Sequence, residues 1–396
     1  MDMNRFSDRV SNVPNSGIGY MMRYASKYTD TVSLGQGTPL FPTPQFIYDT
    51  LLERSKKEPE LGMYSDTKVA IENDLLTLIT AQMEIDYGFR PELSELYLTV
   101  GGIGALYSAL MALVQKGDEV IYFDPSYPLH LSQIHLTEAT PVFVSYKEED
   151  GWSINLAKLE KSITNRTRVI ILTNPNNPTG TVLSEAEVRE LSAIVVKHDL
   201  TLILDEAYFF LTYDKKIFSP LRIPALRNRT ILCRSFSKEY AMTGWRIGYA
   251  YAAPEIIDKI RNVHIYFSVC PPTPSIVAAT IAMADSRGKI AMEGFKRKFV
   301  ESRTAICERL DRLPKLFSYH PPDGAYYAFP KYLGFDLTAL DFAKLLIDEA
   351  KVITIAGGSM GPSGEGHVRM SFACDASIIH KAFDRIDDFA KKHNLL

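Results

Sequence analysis

One lysine stands beside two hydroxyls and ahead of an arginine: Ser235-Phe236-Ser237-Lys238 is followed by Thr243-Gly244-Trp245-Arg246-Ile247-Gly248. A lysine amine so placed can form an imine with an aldehyde, and the hydroxyls and guanidinium can hold a phosphate. Both capacities together are what an enzyme needs to carry pyridoxal phosphate on a lysine. A single lysine is ordinarily a solvated surface residue, so the assignment depends on what stands upstream.

Three apolar runs deliver polar groups at their carboxyl ends. Arg168–Thr173 runs into Asn174-Pro175-Asn176-Asn177-Pro178-Thr179-Gly180, which alone is an ordinary turn. Thr201–Leu204 runs into Asp205-Glu206-Ala207-Tyr208, and an aspartate closing an apolar strand is costly without a partner. Thr230–Arg234 then delivers Ser235 and Lys238. A pyridoxal ring withdraws electrons best with its nitrogen protonated, and a half-buried Asp205 would hold that proton. The ring's phenolate oxygen wants donors, which the Asn177 amide and Tyr208 hydroxyl can supply. Lysine's unperturbed pKa of about 10.4 is too high for imine exchange at neutral pH, so Lys238 needs desolvation and cationic neighbours. Once displaced by a substrate amine it becomes a base near the substrate Cα.

The phosphate needs a cradle of its own. Val100-Gly101-Gly102-Ile103-Gly104 follows the strand pattern Leu96–Thr99 and opens the helical pattern Ala105–Gln115, so Gly102 and Ile103 would turn backbone N–H groups toward an anion. Arg246 can grip the same anion with two N–H groups, and Ser235 and Ser237 add hydroxyls. Tyr127, in Asp124-Pro125-Ser126-Tyr127-Pro128 after the run Glu119–Phe123, is placed to stack on the ring. Without a ring to cover it is a core aromatic in a turn.

These positions require a particular scaffold. The runs named above, with Pro141–Val144 and Ile247–Tyr251, alternate with helical patterns such as Leu156–Ser162 and Glu185–His198. The last is announced by a capping box, Ser184-Glu185-Ala186-Glu187. Strands apolar on both faces and separated by crossover helices predict an α/β fold with a mostly parallel sheet between helices. Ligand groups then sit just past the strands' carboxyl ends. From about Pro274 long helical patterns (Pro274–Asp285, Phe295–Arg312, Ala339–Glu349, Ala376–Lys392) surround short strands near Ala325–Phe329, Val352–Ile355 and His367–Phe372. This predicts a smaller α+β domain. The expected division is a large domain over 46–280 and a small one over 1–45 and 281–396, the former stretch being a turn-rich arm.

At 396 residues, 46% hydrophobic and 23% charged, the chain has the composition of a globular protein. A net charge of −3 gives no electrostatic case for nucleic acid or an anionic membrane. The N-terminal Met1-Asp2-Met3-Asn4-Arg5-Phe6 is not a secretory leader, and no apolar run reaches the roughly 18 residues of a membrane helix. Four scattered cysteines without a CxxC pair read as reduced thiols of a cytoplasmic protein, and the 8 histidines show no metal-ligand spacing.

With these residues in place, the chain resembles the fold type I aminotransferases among pyridoxal phosphate enzymes, the class I/II branch that includes aspartate and aromatic aminotransferases. The resemblance runs from Ser16-Gly17-Ile18 and Ser33-Leu34-Gly35-Gln36-Gly37 to Val368-Arg369-Met370-Ser371-Phe372. It rests on an ordered set: Asn-Pro-x-Asn-Pro-Thr-Gly, Asp-Glu-x-Tyr, Ser-x-Ser-Lys with Gly-Trp-Arg-x-Gly, then the late arginine. It implies that Lys238 is the cofactor-bearing lysine, Asp205 the ring-nitrogen partner, Asn177 and Tyr208 the phenolate partners and Tyr127 the stacking aromatic. Gly102, Ile103, Ser235, Ser237 and Arg246 become the phosphate cradle. Arg369 becomes the grip on the substrate α-carboxylate, assisted by Asn177 and the Gly35 backbone. Tyr64 resembles a family tyrosine that reaches the neighbouring subunit's phosphate, which implies a homodimer with active sites at the interface. One departure stands out: where the family has a glycine and Glu-Leu-Arg after that tyrosine, this chain reads Val69-Ala70-Ile71-Glu72-Asn73-Asp74.

The implied activity is ping-pong transamination between an L-amino acid (aspartate, alanine or aromatic) and a 2-oxo acid. The same residues would also serve a carbon–sulfur β-lyase, and a pyridoxal-phosphate-binding regulator is a remote third reading. Tyr20, Tyr64, Tyr127 and Tyr326 make an aromatic-lined pocket an expectation, and Arg23 is a weak candidate for a distal carboxylate.

Overall fold

The computed structural model describes residues 6–14, 16–65 and 69–396; Met1–Arg5, read above against a leader, lie outside them. The N-terminal arm carries β1 (Val32–Ser33). A central sheet follows from β2 (Leu96–Thr99), β3 (Glu119–Asp124), β4 (Thr140–Ser145), β5 (Thr167–Thr173), β6 (Thr201–Asp205), β7 (Thr230–Ser235) and β8 (Gly248–Tyr251). Their order across the sheet is β2-β8-β7-β6-β5-β3-β4. Neighbours pair in parallel except β8, which runs antiparallel to both β2 and β7.

That one reversed strand matters for the site. Because β8 opposes both neighbours, β2 points the same way as β3, β4, β5, β6 and β7. Six carboxyl ends therefore share one edge of the sheet, and the start of β8, just after Arg246, lies at that edge too. The strands hold their places by burial on both faces: Val169–Thr173 and Leu202–Leu204 are all buried, as expected of a sheet sandwiched by helices. The helix Glu185–Lys197 begins with the expected capping box, Ser184 accepting from the Glu187 N–H at 3.3 Å and Glu187 from the Ser184 N–H at 2.8 Å.

Toward the C-terminus the strands are short: β9 (Phe317–Ser318), β10 (Tyr327–Ala328), β11 (Lys331–Tyr332), β12 (Val352–Ile353), β13 (Ile355–Ala356) and β14 (Val368–Ser371). β14 lies between β10 and β13, both antiparallel to it, and carries Arg369. The arm joins this region through β1, parallel to β12. Helices Ser286–Asp311 and Ala376–Lys392 pack over it, the latter burying Ile379, Phe383, Ile386 and Phe389 along one face.

The arm itself differs from its turn-rich expectation. It holds a helix, Gly17–Ala25, opened by the Ser16 hydroxyl, which accepts from the Gly19 N–H at 3.2 Å. Gly17 serves close approach rather than a bend: a Cβ there would lie 2.3 Å from the Cβ of Ser359. No described helix is long and apolar enough to cross a membrane.

Candidate active site

A cavity of about 390 Å³ opens at the shared edge of strand ends. Lys238, Asp205, Tyr208, Asn177, Tyr127 and Arg369 all line it. So do Gly102, Ile103, Ser235, Ser237 and Arg246.

Lys238 sits in the short helix Phe236–Glu239 that immediately follows β7. Its Nζ donates to the Gly37 carbonyl at 2.5 Å, an oxygen that also accepts from the Tyr326 hydroxyl at 3.0 Å. Burial pushes the ammonium down from 10.5 to about 8, helped by the Arg369 and Arg246 charges and opposed by Asp205. The amine thus has the lowered basicity that imine chemistry needs.

Asp205 closes β6 with one oxygen 3.0 Å from His130 Nε2 and the other accepting from the Ala207 N–H at 3.1 Å. His130 is the partner that the strand-closing aspartate called for. Sequence reasoning missed it, although it lies three residues past Tyr127 in the first turn of the helix Pro128–Leu136, with its ring 5.3 Å from that of Tyr127. Tyr208 meets the Tyr327 hydroxyl at 2.8 Å, and burial keeps its phenol well above the ordinary value, so it remains an O–H donor. Tyr127 is held protonated in the same way, pushed up to about 12.

Arg369 is 1% exposed. Its Nη1 donates to Asn177 Oδ1 at 3.1 Å, its Nη2 to the Gly35 carbonyl at 2.7 Å, and its guanidinium lies 4.5 Å over the Tyr327 ring. Its Nε is buried with no hydrogen-bond partner among the described residues.

The glycine turn opens the helix Gly101–Leu113. Gly101 takes φ +69°, and a Cβ there would come within 2.7 Å of Arg246 Nη2. The turn and the guanidinium are therefore in contact. The first N–H groups of a helix have no acceptor within it, which leaves those of Gly102 and Ile103 to an anion. Three cationic side chains (Lys238, Arg246, Arg369) face one carboxylate (Asp205) around the cavity. That excess suits an occupant with a phosphate and a carboxylate to offer, and the donor set fits pyridoxal phosphate.

The remaining expected residues lie elsewhere. Tyr20 and Arg23 are exposed on the arm helix and do not line the cavity, whereas Ile18 and Thr38 do. Tyr326 is turned to Gly37, and its neighbour Tyr327 takes the cavity wall instead; adjacent residues of an extended strand point to opposite sides. Tyr64 is 64% exposed and lines an adjoining cavity of about 950 Å³ that shares only Arg246 with the first.

A family model described as aminotransferase class I and II matches residues 29–386. The chain is 32% identical over 394 residues to aromatic-amino-acid aminotransferase 2 of Thermococcus litoralis, covering 98% of this chain and 99% of that protein. It is also 32% identical to an aspartate aminotransferase of Pyrococcus abyssi over the same shares. Among solved structures, an alanine aminotransferase from Pyrococcus furiosus superposes with a TM-score of 0.89 at 27% identity, covering 98% of this chain and 100% of that one.

Proposed function

The chain belongs to the class I and II aminotransferases, and we propose that Lys238 carries its cofactor and moves the substrate proton while Arg369 holds the substrate α-carboxylate. The family uses pyridoxal 5′-phosphate, and this chain is a pyridoxal-phosphate-dependent enzyme that passes the amino group of an L-amino acid to a 2-oxo acid. The cofactor, when bound, takes up the negative charge that develops as the substrate Cα loses its proton.

The observation carrying the residue roles is the convergence of Lys238, Asp205 and Arg369 on one cavity. Asp205, oriented by His130, holds a proton on the ring nitrogen. Asn177 and Tyr208 donate to the phenolate oxygen, and Tyr127 covers the ring. The Gly102 and Ile103 N–H groups, Ser235, Ser237 and Arg246 bind the phosphate. Arg369 aims its fork at the α-carboxylate with Asn177 and Gly35 fixing its plane, which sets the substrate Cα within reach of Lys238. With its pKa lowered to about 8, Lys238 keeps a minor neutral fraction near pH 7, and that fraction can accept the proton.

The amino donor falls among aspartate, alanine and aromatic amino acids. Of these we favour an aromatic one, because Ile18, Leu129, Tyr127 and Tyr327 give the cavity apolar and aromatic lining. The active unit is a homodimer in the cytoplasm: Tyr64, Met63, Tyr266 and Phe267 are exposed, and the cavity beside Arg246 that Tyr64 lines is suited to cover by a second copy. The test is a single-turnover screen. Holoenzyme is mixed with one amino acid at a time, and the 2-oxo acid released per active site is counted. One equivalent from a donor, with no free ammonia, is the expected result. Continuous release of ammonia with pyruvate would overturn the residue roles as those of a transaminase.

A further inference from the structure

We propose that His264 is a positioning residue for the phosphate cradle: it takes up the Val100 N–H, and so fixes the Gly101–Gly102 turn with the next N–H groups facing the cavity. This rests on the reading of that turn as the phosphate site. His264 is fully buried on the helix Pro254–Ser268, more than 160 residues from the turn in sequence, yet its Nε2 lies 3.1 Å from the Val100 nitrogen. An N–H can only donate, so Nε2 is the acceptor and the ring is neutral with its hydrogen on Nδ1. That Nδ1 faces the Tyr97 hydroxyl at 3.4 Å. Burial holds the ring's pKa down to about 4, so the acceptor survives at working pH.

The need for such a residue follows from the turn's own sequence. Val100 stands at the N-cap, and its side chain makes no capping hydrogen bond; valine has no oxygen to offer. Gly101 with φ +69° could swing its neighbours to many other orientations. The imidazole removes that freedom. Its ring is locked edge-on between Tyr97, 5.3 Å away, and Phe267, 4.7 Å away. It also packs where a Cβ on Gly104 would come within 3.7 Å of Nε2, so the two helices meet tightly at this point.

The test uses full-length, cofactor-free protein and two probes, pyridoxal phosphate and pyridoxal, which differ only in the phosphate. His264→Phe keeps a ring but removes the acceptor; His264→Gln restores an acceptor through its amide oxygen. We expect H264F to bind pyridoxal phosphate at least tenfold more weakly with pyridoxal affinity within twofold of wild type, and H264Q to regain most of the loss. Equal weakening of both probes, or no weakening of pyridoxal phosphate binding, overturns the inference. If H264F does not fold, nitrogen NMR of labelled histidine in the wild-type protein decides: a neutral Nδ1–H form of His264 down to pH 5.5 supports the role, and a protonated ring or Nε2–H form overturns it. Wild-type protein that fails to prefer pyridoxal phosphate over pyridoxal would overturn the cradle reading itself, and His264 with it.

Discussion

Replacing Lys238 by methionine makes the cofactor-free protein more stable near pH 7, and the gain shrinks as the pH rises. In the folded chain the amine titrates at about 8 instead of 10.5, mainly because it is buried. Below pH 8 both folded and unfolded chains carry the charge, and the folded state bears the full penalty, about 3 kcal/mol from a shift of this size. Between pH 8 and 10.5 the folded amine has released its proton while the unfolded chain still holds one. The unfolded state then binds more protons, so stability climbs with pH, and by pH 10 less than ~1 kcal/mol of the penalty remains. Methionine has a similar length and no charge. It forfeits the hydrogen bond to Gly37, about 1 kcal/mol, but that carbonyl keeps its Tyr326 donor. The expected outcome is a variant about 2 kcal/mol more stable than wild type at pH 7 and close to equal at pH 10. Urea unfolding of both proteins at matched chain concentration measures this. Every other titrating group is common to the two, so the difference isolates Lys238. A variant less stable than wild type at pH 7, or a difference that does not change with pH, would refute the reasoning.

Two further outcomes follow from the residues proposed to bind anions. Arg369→Lys keeps the charge but loses the fork that Asn177 and Gly35 orient; kcat/KM should drop about 10- to 100-fold for every amino donor, mostly through KM, with cofactor affinity little changed. Steady-state kinetics across several donors checks this, and a loss confined to acidic donors would mean that Arg369 reads a side chain instead. Gly101→Ala forces a left-handed alanine, at roughly 1–2 kcal/mol, and drives its methyl into Arg246. Equilibrium binding should register weaker pyridoxal phosphate and nearly unchanged pyridoxal; equal affinities for the alanine variant and wild type would separate the turn from Arg246.

The cofactor edge was legible because its chemistry sits where strands end. A run such as Arg168–Thr173 is recognisable by its unbroken apolar residues, and the polar residue that follows is then placed by topology alone. Even so, the sheet order came only with the structure: nothing local in Gly248–Tyr251 says that it runs against its neighbours, yet that reversal brings Arg246 to the edge. His130 and His264 were illegible for a related reason. Each acts on a partner many residues away, and a lone histidine in a helical pattern carries no sign of what it faces. The arm helix was misread because Gly17 and Gly19 look like turn residues, whereas Gly17 is small to admit Ser359. Close packing and bending ask for the same residue.

The charges around the cavity have a consequence for Lys238 itself. Arg369 and Arg246 are the two cations that lower its pKa, and Asp205 is the one group that raises it. A phosphate on Arg246 and a carboxylate on Arg369 would neutralise both arginines. The lowering influence left would be burial, so the amine becomes a stronger base when the anions are in place than when the cavity is empty. With Arg369 free, the amine gives up its proton readily, as imine formation requires. With Arg369 engaged by a substrate carboxylate, the same amine holds a proton taken from Cα more firmly. On the roles proposed for Arg369 and Lys238, the arginine that positions the substrate would also adjust the base that acts on it, the two tasks being coupled by distance rather than by any moving part.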